Sequence, residues 1–195
     1  MALRPAVFLD KDGTVLEDAP YNVDPGRMAL APHAFAGLSR LGMAGLALVV
    51  ISNQSGVAKG LFTASALTAV QTKLASMFSA AGAHLDGFYW CPHHPEGVVA
   101  GYSVDCDCRK PRPGLLFRAA RELDIDLEAS WFIGDILDDV EAGNRAGCRS
   151  ILLDVGHETE WREGPARTPH ARAPDLDAAA RIVLADRHGD VRMEA

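Results

Sequence analysis

The sequence of 195 residues lacks the features that mark membrane-bound and exported proteins. It contains no uninterrupted apolar run of the ~18–20 residues that a membrane span requires. The first strand-like segment begins within a few residues of Met1, which leaves no room for a signal peptide. No internal repeat interrupts the chain. We therefore expect a cytoplasmic protein without a membrane partner.

Positive charge is also scarce, since 19 Lys and Arg face 26 Asp and Glu, for a formal net charge of −7. This balance argues against general attraction to nucleic acid, although a local basic cluster can still bind a small anion. The hydrophobic fraction of 48% is ordinary for a globular protein. We expect one domain over residues 1–195, acting as a monomer.

Cysteine is rare, with four in the chain, and a reducing compartment makes a disulfide framework implausible. Two pairs of metal-binding residues stand out, Cys91 with His93 and Cys106 with Cys108. Three thiolates and one imidazole complete a tetrahedral zinc shell, which predicts a structural zinc site. Free thiols in a loop are the alternative reading, and His94 is the alternative to His93. We expect Cys148 to be buried.

The chain does contain a buried strand that ends in two carboxylates. The apolar run Ala6–Leu9 leads directly into Asp10-Lys11-Asp12-Gly13-Thr14. Ligands of open α/β sheets bind beyond the carboxyl ends of the strands. Two adjacent carboxylates repel each other unless a cation lies between them or one is protonated. The motif therefore indicates a metal site, an acid/base pair or both, with a plain polar turn as the alternative.

Strand-like and helical segments alternate along the rest of the chain. This alternation predicts an α/β fold of three layers, with a mostly parallel, Rossmann-like sheet and helices on both faces. On the first helix, Phe35, Leu38 and Leu41 share the face that we expect to be buried. Further strands are predicted at 46–51, 86–90, 131–133 and 150–153, helices at 32–43, 64–81 (N-cap Thr63), 113–123, 138–146 and 175–186, and a loop at 156–174.

Polar residues follow three of the predicted strands and can meet at one edge of the sheet. Asp10 and Asp135 supply hard oxygen ligands that suit Mg²⁺. Ser52 offers a hydroxyl and Lys110 a point charge for a phosphate group. A carboxylate nucleophile beside a second carboxylate that can hold a proton suits phosphoryl transfer.

These segments resemble, in order and spacing, the four motifs of the haloacid dehalogenase (HAD) superfamily of phosphatases. The resemblance implies Mg²⁺-dependent hydrolysis of a phosphate monoester through an aspartyl-phosphate. Asp10 would be the nucleophile and Asp12 the general acid/base, while Ser52 and Lys110 would hold the phosphate. The implied Mg²⁺ ligands are Asp10, Asp12 through its backbone carbonyl, and Asp135; Asp139 would orient its neighbours.

The Cys/His insert, residues 91–108, resembles the zinc loop of one HAD branch. Its members remove the 7-phosphate of a heptose 1,7-bisphosphate, on the way to activated heptose for the lipopolysaccharide core, or the phosphate of histidinol phosphate. The resemblance implies the sugar substrate, with histidinol phosphate as the alternative, and favours His93 as the fourth ligand. Since no long insertion follows the first motif, no large cap domain is expected. Implied substrate contacts are Asp18, Ala19, Pro20, Tyr21, Ser52, Asn53, Gln54, Ser55, Arg109 and Lys110.

A receiver-type signalling domain is the alternative from another class of protein, because it also places Asp, a hydroxyl residue and Lys around Mg²⁺. It would carry its phosphate acceptor on a middle strand and would lack an acid/base group such as Asp12. We expect Lys11 to point away from the metal. Scattered histidines are expected to be surface or capping residues: His33, His84, His157, His170 and His188.

Overall fold

The computed structural model describes residues 3–187 and is built around a six-stranded sheet. The strands are β1 (Ala6–Leu9), β2 (Ala47–Asn53), β3 (Gly87–Cys91), β4 (Trp131–Gly134), β5 (Arg149–Leu153) and β6 (Ala171–Ala173). They lie in the order β3-β2-β1-β4-β5-β6, and every neighbouring pair is parallel. His188 lies outside the described residues.

Helices cover both faces of the sheet and confirm the predicted three-layer α/β fold. Apolar side chains of α1 (Ala34–Met43), α2 (Ala66–Ala80) and α5 (Leu176–Arg187) share one core with the sheet. Those of α3 (Gly114–Leu123) and α4 (Leu137–Ala146) share the core on the other face. Between β1 and α1 the chain forms a short 3-10 helix, Pro25–Arg27. In the described part of the chain, we find no helix with the length and apolarity that membrane crossing requires.

The position of β1 determines where the functional site lies. Its residues alternate between the two cores, with Val7 and Leu9 in one and Ala6 and Phe8 in the other. This is why the strand is a continuous apolar run. The chain builds β2 and β3 on one side of β1 and then places β4 on the other side. Such a reversal opens a crevice at the carboxyl end of the strand, where α/β proteins bind ligands.

Two predictions about these elements are wrong. Residues 156–174 are not all loop, because β6 adds to the sheet edge beside β5. Phe35 is 52% exposed, whereas Leu38 and Leu41 are buried as predicted. The inner face of α1 includes Gly37 instead, where a Cβ would lie 2.6 Å from the backbone oxygen of Leu176 in α5. The two helices therefore approach too closely for Phe35 to turn inward. The other element ends differ from the predicted ones by one or two residues.

Candidate active site and metal cluster

The carboxyl ends of β1, β2 and β4 bring polar residues together around a cavity of about 240 Å³. Each of these strands ends in the crevice that the sheet order creates. The lining includes all four predicted catalytic residues and two residues, Ile136 and His157, that were not predicted. The lining residues are Asp10, Asp12, Asp18, Ser52, Asn53, Lys110, Asp135, Ile136 and His157.

Lys110 occupies the centre of this arrangement and is 3% exposed. Its Nζ contacts Asp10 Oδ1, lies 2.6 Å from Asp139 Oδ1 and donates to the backbone oxygen of Ile51 at 3.2 Å. Burial disfavours the ammonium, but the two carboxylates outweigh it and raise the pKa of Lys110. Asn53 holds the backbone of Lys110 with two hydrogen bonds, of 3.0 and 3.2 Å. The lysine is therefore charged and fixed.

Three buried carboxylates surround that one ammonium. Asp10, Asp135 and Asp139 place oxygen atoms within 4.8 Å of one another. Burial, with the negative charge of Asp10, raises the pKa of Asp135 to about 7. Burial also raises the pKa of Asp139 well above its usual range. When all three are ionised, these carboxylates carry two more negative charges than Lys110 balances. The set thus fits a divalent cation that prefers oxygen ligands.

Asp12 and Lys11 form a second ion pair at the edge of the cavity. Lys11 is 1% exposed, and its Nζ lies 2.5 Å from Asp12 Oδ1. Burial raises the pKa of Asp12, and the charge of Asp10 adds to this effect although Lys11 opposes it. A raised carboxyl pKa suits proton transfer near neutral pH.

The predicted substrate contacts occupy different positions around the cavity. Ser52 is buried, and its hydroxyl accepts a hydrogen bond of 2.8 Å from Gln54, so Gln54 supports Ser52. Tyr21 accepts a hydrogen bond of 2.6 Å from Lys59. Arg109 lines an adjoining cavity of about 340 Å³, which it shares with Lys110. Ala19, Pro20 and Ser55 belong to the turns that follow β1 and β2. That any of the ten residues named above as substrate contacts binds the substrate remains a prediction.

His157 was expected on the surface, and the structure places it in the site. Its Nδ1 lies 2.7 Å from Asp135 Oδ2, and its side chain is 35% exposed. It belongs to the irregular segment after β5, where no periodicity or motif marks a functional residue. The strand order offers one signal. Since β1, β4 and β5 are parallel, a residue just after β5 lies at the same edge of the sheet as Asp10, which follows β1.

The four predicted metal-binding side chains form a compact cluster. Cys91 ends β3, and its Sγ lies 3.1 Å from that of Cys108 and 3.6 Å from that of Cys106. His93 Nδ1 lies 3.3 Å from Cys108 Sγ. The sulfur separations exceed the ~2.05 Å of a disulfide bond. They are close to the distance between two ligand atoms of one tetrahedral metal ion whose metal–ligand bonds are about 2.0–2.3 Å.

The protonation and orientation of the cluster also suit a metal ion. A hydrogen bond from Cys91, with contributions from His93, lowers the pKa of Cys108 to about 5. The thiolate is the form of cysteine that binds metals. His94 turns its Nδ1 to the backbone N–H of Glu96, at 3.1 Å, whereas His93 faces the sulfur atoms.

The structure combines a parallel sheet, an Asp-x-Asp pair after β1, and a lysine and a further aspartate that line the same cavity. Together these features define a HAD-like hydrolase. A HAD-hydrolase-like family model matches residues 107–179. This match and the site geometry leave no support for a receiver domain.

Comparison with known proteins gives the family. The chain is 41% identical to D-glycero-β-D-manno-heptose-1,7-bisphosphate 7-phosphatase from Yersinia pestis, over 87% of this chain and 86% of the relative. It is 37% identical to the protein of that name from Escherichia coli K12, over 86% and 84% of the two chains. A similar solved structure is that of D,D-heptose 1,7-bisphosphate phosphatase from B. bronchiseptica, complexed with magnesium and phosphate. It is 32% identical to this chain and superimposes with a TM-score of 0.74. The match covers 93% of this chain and 99% of the B. bronchiseptica chain. The chain belongs to this phosphatase family, within the HAD-like phosphoric monoester hydrolases, which confirms the resemblance.

Proposed function

We propose that the protein removes the 7-phosphate from D-glycero-β-D-manno-heptose 1,7-bisphosphate. The observation that carries this proposal is the convergence of Asp10, Asp12, Lys110 and Asp135 on one cavity. The names of the relatives support the sugar as substrate. Arg109 adds a second cation where the two cavities meet at Lys110, which suits a substrate with two phosphate groups.

The reaction takes place in two steps. Asp10 attacks the phosphorus atom, and the bond from phosphorus to the sugar oxygen breaks as Asp12 gives that oxygen a proton. Asp12 then takes a proton from a water molecule, whose oxygen attacks the aspartyl-phosphate. Phosphate leaves, and Asp10 and Asp12 return to their first states. Splitting the transfer in this way replaces one difficult displacement with two easier ones.

Lys110 and Ser52 stabilise the transferred group, and a divalent cation would assist them. Lys110 places a positive charge beside Asp10, and the Ser52 hydroxyl lies at the end of the neighbouring strand. Asp10, Asp135 and the backbone carbonyl of Asp12 would hold Mg²⁺. When bound, Mg²⁺ balances the charge that develops on the phosphoryl oxygens.

We also propose that Cys91, His93, Cys106 and Cys108 hold a structural zinc ion. Four ligands complete a tetrahedral shell, so no position is open for a substrate or water. The zinc loop ends two residues before Lys110. Its role is therefore to fix the backbone that carries the central lysine.

Phosphate release tests the proposal, with the heptose bisphosphate and histidinol phosphate compared in parallel. We expect kcat/KM of at least ~10⁴ M⁻¹s⁻¹ on the heptose, the lower range for a physiological substrate, and much less on histidinol phosphate. Mg²⁺ supports turnover and EDTA abolishes it. Phosphorus NMR of the product identifies which phosphate has left.

The Asp12→Asn variant is the matched control, because it keeps the size of the side chain and loses only the proton-transfer group. We expect its kcat to fall by at least ~10²-fold. A preference for histidinol phosphate would contradict the sugar substrate and leave the mechanism in place. Wild-type turnover that persists in EDTA would contradict the metal site.

A further inference from the structure

We propose that His157 positions the carboxylate of Asp135 for metal binding, and that Glu158 fixes the loop that carries His157. The inference rests on the proposed function in one respect, since it takes Asp135 as a ligand of the divalent cation. It assigns a role to the segment after β5.

The carboxylate of Asp135 is held at both oxygen atoms. Thr14 Oγ1 donates to Oδ1 at 3.3 Å, and His157 Nδ1 lies 2.7 Å from Oδ2. Asp135 must be ionised to bind a cation, and an ionised carboxylate only accepts hydrogen bonds, so in that state His157 Nδ1 carries the proton of this bond. Two donors on opposite oxygens fix the plane of the carboxylate and leave its remaining lone pairs for a cation.

Gly13 leaves the space in which Asp135 and His157 meet. Its φ is +80°, and a Cβ at this position would overlap Asp135 Oδ2 and lie 2.6 Å from His157 Nδ1. The imidazole therefore packs against the turn that carries Asp10 and Asp12. Its contact with Asp135 is part of the construction of the site, although His157 comes from a distant segment.

Glu158 attaches the same segment to the other side of Asp135. Its Oε2 accepts a hydrogen bond of 2.6 Å from the backbone N–H of Leu137, the first residue of α4. Its Oε1 accepts hydrogen bonds from Glu160 and Trp161, at 2.8 and 3.3 Å. A carboxylate at a helix N-terminus is stabilised by the unpaired N–H groups and the helix dipole. Consecutive residues thus hold both Asp135 and the helix that follows it.

The electrostatics of the site explain why Asp135 requires such a partner. Asp10 and Asp139 lie beside it, and three carboxylates repel one another when ionised. Without the donor on Oδ2, we expect Asp135 to rotate away from the other two. Mg²⁺ tolerates little distortion of its octahedral shell. Removal of a hydrogen-bond partner of a ligating carboxylate typically costs about 10–100-fold in metal affinity or activity.

Mg²⁺ titration calorimetry on the full chain tests the inference. We expect His157→Ala to bind Mg²⁺ about 10-fold more weakly than the wild type. His157→Asn places an amide N–H where Nδ1 lies, so we expect it to restore most of the affinity. We also expect the Mg²⁺ concentration that gives half-maximal turnover of His157→Ala to rise in step with this loss of affinity.

His84→Ala is the control for loss of a loop histidine. His84 is exposed and precedes β3, so it lies at the opposite end of the sheet from the site, and its removal should leave Mg²⁺ affinity unchanged. Glu158→Gln is the second variant, which weakens the anchor without touching Asp135. We expect it to lower the affinity less than His157→Ala does.

The outcomes separate this inference from the proposed function. Wild-type affinity in His157→Ala overturns the inference alone. Equal losses in His157→Ala and His157→Asn also overturn it, because the ring and not its donor would then matter. A wild-type protein that binds no Mg²⁺ overturns the proposed metal site and, with it, this inference.

Discussion

Lys11 occupies a position that lysine rarely takes, with its whole side chain buried next to an apolar strand. A buried ammonium is destabilising unless a carboxylate compensates it. Asp12 supplies that carboxylate at 2.5 Å. The contact also restricts the rotation of Asp12, so we expect Lys11 to hold the proposed acid/base group in place.

Lys11→Met should separate the two halves of the reaction. With p-nitrophenyl phosphate, the phenolate leaves without a proton, so the first step does not need a well-placed Asp12. We expect a rapid burst of p-nitrophenol followed by steady turnover that is about 10–100-fold slower than in the wild type, within the usual contribution of general acid–base catalysis. Stopped-flow absorbance measures both phases.

Lys11→Arg keeps the cation and is the matched control, with a steady rate closer to that of the wild type. If the burst in Lys11→Met slows as much as the steady rate, Lys11 acts on the fold of the whole site and not on Asp12.

His157 shows what a linear pattern omits. Asp10, Asp12 and Asp135 could be predicted because each follows a strand whose end is visible in the sequence. The expectation that Lys11 points away from the metal stays a prediction. Its Nζ lies 2.5 Å from Asp12 Oδ1, and Asp12 is not one of the three clustered carboxylates, Asp10, Asp135 and Asp139. His157 reaches Asp135 across a contact that only the folded sheet creates.

The zinc loop allows a prediction that a count of thiols can decide. With zinc bound, we expect none of the four cysteines to react with a thiol reagent in the native protein. After a zinc-selective chelator, with Mg²⁺ in excess, three should react. Cys148 should react only after unfolding, because it is 3% exposed and burial raises the pKa of its thiol to about 12.

Melting and turnover of the chelated protein supply the accompanying readouts. A loosened loop releases the backbone before Lys110, so the melting temperature and the rate should both fall. Three reactive thiols before chelation, or four after it, would contradict the assignment of the cluster.

Among the elements, the sequence predicted the long ones well and missed the shortest. The helices and the first five strands carry enough apolar residues to show their periodicity. β6 has only three residues, it pairs on one side with β5, and Arg172 in its middle is exposed. A short edge strand has too little buried surface to leave a pattern, and its neighbours are rich in Pro, Gly and charge.

Residues 3–187 pack around two main cores, one on each face of the sheet, and α1 belongs to the first. Leu38→Ala should lower the free energy of unfolding by about 2–5 kcal/mol, because it removes a fully buried side chain from that core. Phe35→Ala on the same helix should change it by no more than about 0.5 kcal/mol, since Phe35 faces solvent. Urea titration followed by circular dichroism measures both.

Equal losses of stability in Leu38→Ala and Phe35→Ala would contradict the orientation of α1.

At the scale of the whole molecule, the α/β class and the parallel sheet could be predicted from the alternation of elements. That one sheet contains all six described strands supports the prediction of a single domain, which remains a prediction.

The central place of β1 also affects how the enzyme becomes active during synthesis. At about 5–20 residues per second, the ribosome needs on the order of ten seconds to extend the chain from Asp10 to Asp139. During that interval β1 can pair with β2, but the edge that β4 later covers stays open. The nascent chain therefore has Asp10, the proposed nucleophile, before it has Asp135, the proposed metal ligand at the end of β4.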